Sequence, residues 1–148
     1  MNLALAKKLG NVFGKAIGTE PLANSAGTRN GTGVDRATPG GTLFLGCTLQ
    51  AIIGTVTGSP SSFTADFKLQ DSADNSTFAD YVPPGGVAAD AAVTQQTAGS
   101  AIVDVDIDIS GARRYIRVVE VIAITGGTSP KVPASSTLLL YGADRTPV

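Results

Sequence analysis

The sequence has no histidine and no tryptophan, a single cysteine, and only 16% charged residues. Its aromatic side chains are five phenylalanines and three tyrosines. Without histidine there is no Ser–His or Cys–His nucleophile pair, and most zinc sites lose a principal ligand. A paired-carboxylate hydrolase needs no histidine, but the absence of tryptophan removes the aromatic floor on which a sugar substrate would lie. Cys47 cannot close an internal disulfide, and it sits in the apolar run LFLGCTLQ, so it reads as a buried free thiol. Nothing here demands an oxidising compartment. No apolar run approaches the roughly 20 residues of a membrane span, so no membrane partner is expected. The N-terminal MNLALAKKLGNVFGKAIG places its lysines after the first leucines, with no long apolar core behind them. It is expected to be retained rather than cleaved as a signal.

What is present fits one domain of 148 residues, long enough to bury a core without staples. Eighteen glycines favour strands and turns over long charged helices. The net charge of −1 hides an asymmetry. Residues 1–36 carry Lys7, Lys8, Lys15, Arg29 and Arg36 against Glu20 and Asp35, a balance of +3; the remainder carries six basic and ten acidic residues, a balance of −4. A basic arm on an acidic body points to an acidic partner surface. The basic residues are too few, and too free of interleaved aromatics, to point to nucleic acid.

Three zones follow along the chain. In residues 1–18, Leu5, Leu9, Val12, Phe13, Ala16 and Ile17 recur at helical spacing, with Lys7, Lys8, Asn11 and Lys15 mostly elsewhere on the wheel. A short amphipathic helix is expected, although Gly10 and Gly14 weaken it by about 1 kcal/mol each. It either orders against a partner or packs on its own domain. Residues 19–42, rich in Gly, Thr, Asn, Ser and Pro, read as a flexible arm. Residues 43–148 read as about seven short strands separated by turns. The expected fold is all-β, an antiparallel sandwich or jelly-roll-like domain. SFTADFKLQDS alternates most cleanly, with Phe63, Ala65, Phe67 and Leu69 on one face. GVAADAAVTQQTAGS is open between helix and strand.

VDVDIDI, residues 103–109, sets Asp104, Asp106 and Asp108 on one strand face. A hairpin about Gly111–Ala112 would place Asp106 opposite Arg117 and Asp108 opposite Tyr115, with Arg113 and Arg117 diagonal to Asp108. These would be ion pairs on a wet sheet face, each contributing about 0–1 kcal/mol. Same-face carboxylates about 6.6 Å apart along a strand do not converge on one cation. DSADNS, residues 71–76, lacks the order and distal Glu of a calcium loop and reads as a turn. GTRNGTG lacks the Gly-Lys-Ser/Thr of a phosphate loop. No catalytic residue, metal site or cofactor is expected.

Residues 63–148 carry a resemblance. FTADFKLQDSADNSTFADYV, then VDIDISGARRYIRVVEVIAITGGTSP and the ending STLLLYGADRTPV, resemble small virion proteins of tailed bacteriophages, the head decoration or cement proteins foremost. The parts that carry it are Leu69-Gln70-x-Ser72-x-Asp74-x-Ser76-x-Phe78 and Ala112-Arg113-Arg114-Tyr115-Ile116-Arg117-Val118. Related hairpins occur in carbohydrate-binding and cell-surface sandwiches, often with Trp where this chain has Phe78. The resemblance implies a non-enzymatic protein on the outer capsid surface of a virion assembled in a bacterial cytoplasm. It would bridge major capsid subunits, as a trimer or dimer. On that reading the capsid-binding arm is Leu5, Leu9, Phe13 and Ile17 as apolar anchors, with Lys7, Lys8 and Lys15 meeting an acidic surface. The alternatives are a tail or head–tail junction component, a glycan-binding fibre module, and a cellular adhesion module.

Overall fold

The computed structural model describes residues 14–37, 41, 43–96 and 99–143. They form two antiparallel sheets. Four strands, β1 (Gly14–Asn24), β10 (Val132–Tyr141), β4 (Gly46–Ile53) and β8 (Ala101–Asp108), lie side by side in that order in the first sheet. The second is built on β5 (Ser62–Ser72) and β9 (Tyr115–Thr125). Its β9 edge is covered by β2 (Gly27–Asn30) and β3 (Val34–Asp35), and its β5 edge by β6 (Ala79–Asp80) and β7 (Ala92–Gln95). Taking β2 with β3 and β6 with β7, the chain changes sheet at every connection except the return from β5 to β6. That is the connectivity of a jelly roll, and the all-β sandwich expected from the sequence is the fold.

Period-two alternation builds the core. Phe63, Ala65, Phe67 and Leu69 of β5 point inward, as expected, against Cys47, Leu49, Ala51 and Ile53 of β4 and Val132, Ala134, Leu138 and Leu140 of β10. Ile116, Val118 and Ile122 of β9 complete it. Cys47 is a buried free thiol. Burial, reinforced by the Asp106 charge, pushes it up to about 12, so it holds no thiolate at neutral pH. GVAADAAVTQQTAGS resolves into a 3-10 turn, Ala88–Ala91, followed by β7.

Three expectations change. The helix over 1–18 gives way to strand where it is described: Lys15 and Ile17 face outward from β1, with Ala16 packed against the core. Over four residues, helical spacing and strand alternation look alike, and pairing to β10 decides between them. Gly18 marks a close approach within β1, because a Cβ at that position would come within 2.6 Å of Val118 and 2.5 Å of Ser136. Leu5, Lys7, Lys8, Leu9 and Phe13 lie outside the described residues. The expected flexible arm, 19–42, supplies the rest of β1 and all of β2 and β3, and so contributes to both sheets. Finally, β8 and β9 do not form a hairpin. β8 pairs with β4 and β9 pairs with β5, in opposite sheets. Residues 109–114 cross the roughly 10 Å between the layers instead of turning back.

Candidate functional site

Separating β8 from β9 takes the arginines away from the aspartates. Arg113 bonds Asp71 instead, Nη2 to Oδ1 at 2.7 Å, while its backbone N–H donates to Oδ2 at 2.8 Å. Arg117 donates from Nε and Nη2 to Gln70 Oε1 at 2.9 and 2.8 Å and lies over the Phe78 ring, 4.2 Å from its centre. Arg114 pairs with Asp35 at 2.7 Å. Asp106 accepts from Thr48 Oγ1 at 2.6 Å, and Asp108 from the Ser110 N–H at 2.8 Å. The expected ion pairs of Asp106 and Asp108 with Arg113 and Arg117 are thus replaced. Among the described residues, no cation forms a salt bridge with Asp104, Asp106 or Asp108.

All three aspartates are exposed on the outer face of the four-stranded sheet. The strand registers set that face out in rows. Lys15, Leu139, Thr48 and Asp106 form one row, and Ile17, Thr137, Gln50 and Asp104 the next. Ser135, Ile52 and Ile102 follow. Four large apolar side chains stand in solvent here: Ile17 at 53% exposure, Ile102 at 66%, Ile52 at 41% and Leu139 at 38%. One exposed isoleucine is ordinary; these four stand on one sheet face as two pairs, Ile17 with Leu139 and Ile52 with Ile102, with Thr137, Gln50 and Ser135 between them. Two open grooves run along it. One, about 340 Å³, is lined by Lys15, Ile17, Thr137 and Leu139, and the other, about 430 Å³, by Leu45, Asp106, Asp108 and Tyr141.

No group of three metal-ligating side chains occurs among the described residues. Of DSADNS, Asp71 and Ser72 end β5 and residues 73–76 are the expected turn: Asp74 Oδ1 accepts from the Ser76 and Thr77 N–H groups at 3.0 and 2.8 Å. Asn75 takes the left-handed conformation, φ 59°, which asparagine tolerates better than most residues.

Three charged residues are buried, Arg36, Asp71 and Glu120; besides Asp71, bonded to Arg113, the other two organise the chain. Glu120 is 1% exposed. Its carboxylate accepts from Thr19 Oγ1 at 2.9 Å, from Arg29 Nη2 at 2.7 Å, and from Asn24 Nδ2. These bonds tie β1 and β2 to β9. Arg36, 3% exposed, donates to the carbonyls of Arg113, Phe44 and Ile109 at 2.9, 2.8 and 2.8 Å, and to that of Ala112. A signal for Glu120 was present in the sequence: an acid interrupting the apolar run YIRVVEVIAI. Arg36, in a polar stretch, left none.

The acids set the pH response. Hydrogen bonds from Arg114 hold Asp35 below the ordinary carboxylate value, and those from Lys68 and Gln70 do so for Asp80. Ser110 does the same for Asp108, and the Thr77 and Ser76 N–H groups for Asp74. At Asp71 burial pushes upward, but the Arg113 bonds outweigh it. A carboxyl lowered on folding stabilises above its unfolded value and loses that contribution as pH falls through its folded value. With no histidine to titrate, the melting temperature is expected to stay level from pH 8 to about 5 and to drop below about pH 4. Thermal melts across that range check it. A drop centred near pH 6.5 would contradict it.

No family model matches the chain, and no curated protein does. Solved structures do. The PBSX exported protein XepA aligns with a TM-score of 0.56 and 13% identity, over 91% of this chain and 39% of its own. The chain thus spans about two fifths of XepA. The SPBc2 prophage-derived protein YomS aligns with a TM-score of 0.42 and 16% identity, over 86% of this chain and 91% of its own. A turnip yellow mosaic virus structure aligns with a TM-score of 0.38 and 10% identity, over 93% and 85%. At these identities the likeness is one of fold, and of these three XepA has a TM-score above 0.5.

Proposed function

We propose that the protein is a non-enzymatic structural component of a tailed-phage particle, a decoration protein that sits on the outer capsid surface and bridges major capsid subunits. The observation that carries this reading is the outer face of the four-stranded sheet. Ile17, Leu139, Ile52 and Ile102 stand there uncovered by any described element, on a body whose buried charges are already engaged in holding the fold. The resemblance of residues 63–148 to decoration proteins supports it, as does the fold shared with XepA. Contacts of this size, repeated at symmetry-related positions, reach useful strength by avidity.

The assigned roles are these. The sheet face docks on the capsid, and Leu5, Lys7, Lys8, Leu9, Phe13, Lys15 and Ile17 extend the contact from its β1 edge. Co-sedimentation with capsids of the same phage tests them. The unaltered protein is expected to pellet. Ile52→Asp with Leu139→Asp is expected to weaken binding about tenfold or more, because both charges enter a desolvated contact. Leu9→Asp with Phe13→Asp should weaken it independently. Failure of the unaltered protein to pellet removes the decoration reading, and full binding by Ile52→Asp with Leu139→Asp removes the sheet face from it.

A further inference from the structure

We propose that β8 is a latent self-association edge: it matches the β8 edge of a second copy about a two-fold axis, and the charge of Asp104 and Asp106 keeps the two copies apart until it is removed or screened.

A free strand edge is a template for another strand, and proteins blunt it with short strands, proline, bulges or charge. Among the described residues, every other edge carries one of the first three. At the edges of the second sheet, β2, β3, β6 and β7 run two to four residues each. β1 contains Pro21, and its register on β10 shifts twice, between Ile17 and Thr19 and between Thr19 and Leu22. β8 has none of these devices. It runs eight residues without proline, and its register on β4 is unbroken from Ala101 to Asp108. Among the described residues it pairs with β4 alone. Charge is what is left to guard it.

The hydrogen bonds show which backbone groups are free. Just beyond the end of β8, the Ile109 N–H donates to the Leu45 carbonyl at 2.9 Å. In an antiparallel ladder such bonded pairs recur at every second position, so Ile107, Val105, Val103 and Ala101 turn their N–H and C=O groups toward β4. Ile102, Asp104, Asp106 and Asp108 turn theirs outward. The Tyr81 hydroxyl fits this parity, donating to the outward Asp108 carbonyl at 2.8 Å. Ile102, Asp104 and Asp106 are then left for a partner. A second β8 turned about a two-fold axis at Asp104 runs antiparallel and meets all three. Asp104 stands opposite Asp104, Ile102 opposite Asp106, and, on the inner face, Val103 opposite Val105. The two valines are half-buried and packed against the core, and pairing would cover them in both copies. The contact is isologous, the same strand on each side. Carboxylates facing one another across the junction oppose it, and no cation among the described residues forms a salt bridge with them.

The test needs no capsids, so its result is separate from the decoration reading. Sedimentation velocity of the full chain should show association strengthening as salt rises, the reverse of an ion-pair contact, because 1 M salt screens charges beyond about 3 Å. In low salt, Asp104→Asn with Asp106→Asn should associate about tenfold or more tightly than the unaltered protein. Asp104→Pro with Asp106→Asn removes the same charge together with the outward N–H at 104, which β4 does not use, so it should lose that gain. Asp104→Lys mixed with the unaltered protein should associate more tightly than either alone, because lysine then faces aspartate across the axis. Circular dichroism checks that each variant is folded. Should the change at Asp106 disturb its bond from Thr48, Asp104→Asn alone carries the measurement. No gain on neutralising the aspartates, a proline variant that keeps the gain, or a mixture no tighter than its parts would each overturn the pairing.

Discussion

A chain that begins at Thr42 will not fold. Composition makes residues 1–42 look dispensable, yet the cut removes β1 from one sheet and β2 and β3 from the other. It strips the β10 edge of its partner strand and uncovers β9. It also takes Thr19, Asn24 and Arg29 away from Glu120, leaving a carboxylate buried between the sheets with its donors gone. An orphaned buried charge alone costs about 3–5 kcal/mol. Loss of three strand pairings comes on top, against a total stability of about 5–15 kcal/mol. Circular dichroism of this truncation is expected to show no cooperative thermal transition. A cooperative melt of the Thr42 chain near the full-length temperature would contradict the placement of β1 to β3.

Arg36→Met is expected to destabilise the fold by about 3–5 kcal/mol with little change in side-chain volume. The Arg36 guanidinium joins Phe44, at the entry to β4, to Ile109, Ala112 and Arg113, in the crossover between the sheets. Burial pulls its own pKa down, and the nearby Tyr81 and Asp71 oppose that. Methionine would leave the carbonyls of Phe44, Ala112 and Arg113 facing an apolar side chain without the guanidinium donor, while that of Ile109 keeps its bond from the Ala112 N–H. Lysine keeps the charge but not the planar fork, so Arg36→Lys should recover only part of the loss. Urea unfolding at neutral pH measures both. A loss under about 1 kcal/mol for Arg36→Met would mean that water replaces the guanidinium without strain.

How far the sequence could be read varies by element. Phe63, Ala65, Phe67 and Leu69 showed their face outright, because a half-buried strand writes burial into every second residue. Asp74 showed its turn through local chemistry, and Cys47 its burial through its apolar neighbours. The Asp106–Arg117 pairing failed because alternation fixes a strand's faces and not its neighbour. The partner is not the nearest strand in sequence: β8 pairs with β4, Asp106 against Thr48. Lys15 and Ile17 fit a helical repeat in the sequence for a related reason: over so short a stretch, only pairing with Leu139 and Thr137 shows the strand.

By itself, then, the sequence determined the fold class, the inward residues of the central strands, the acidic row of β8 and the basic N-terminal segment. All of these are local patterns of polarity, set by the two-residue repeat of a strand and the preferences of turns. Only the tertiary structure decided which sheet each strand joins. It thereby gave the arginines to Asp71, Gln70 and Asp35, left the aspartates of β8 without them, and closed Glu120 and Arg36 into the interior. Strand pairing across a hundred residues is settled by which faces can be buried together, and that is a property of the whole chain rather than of any stretch within it.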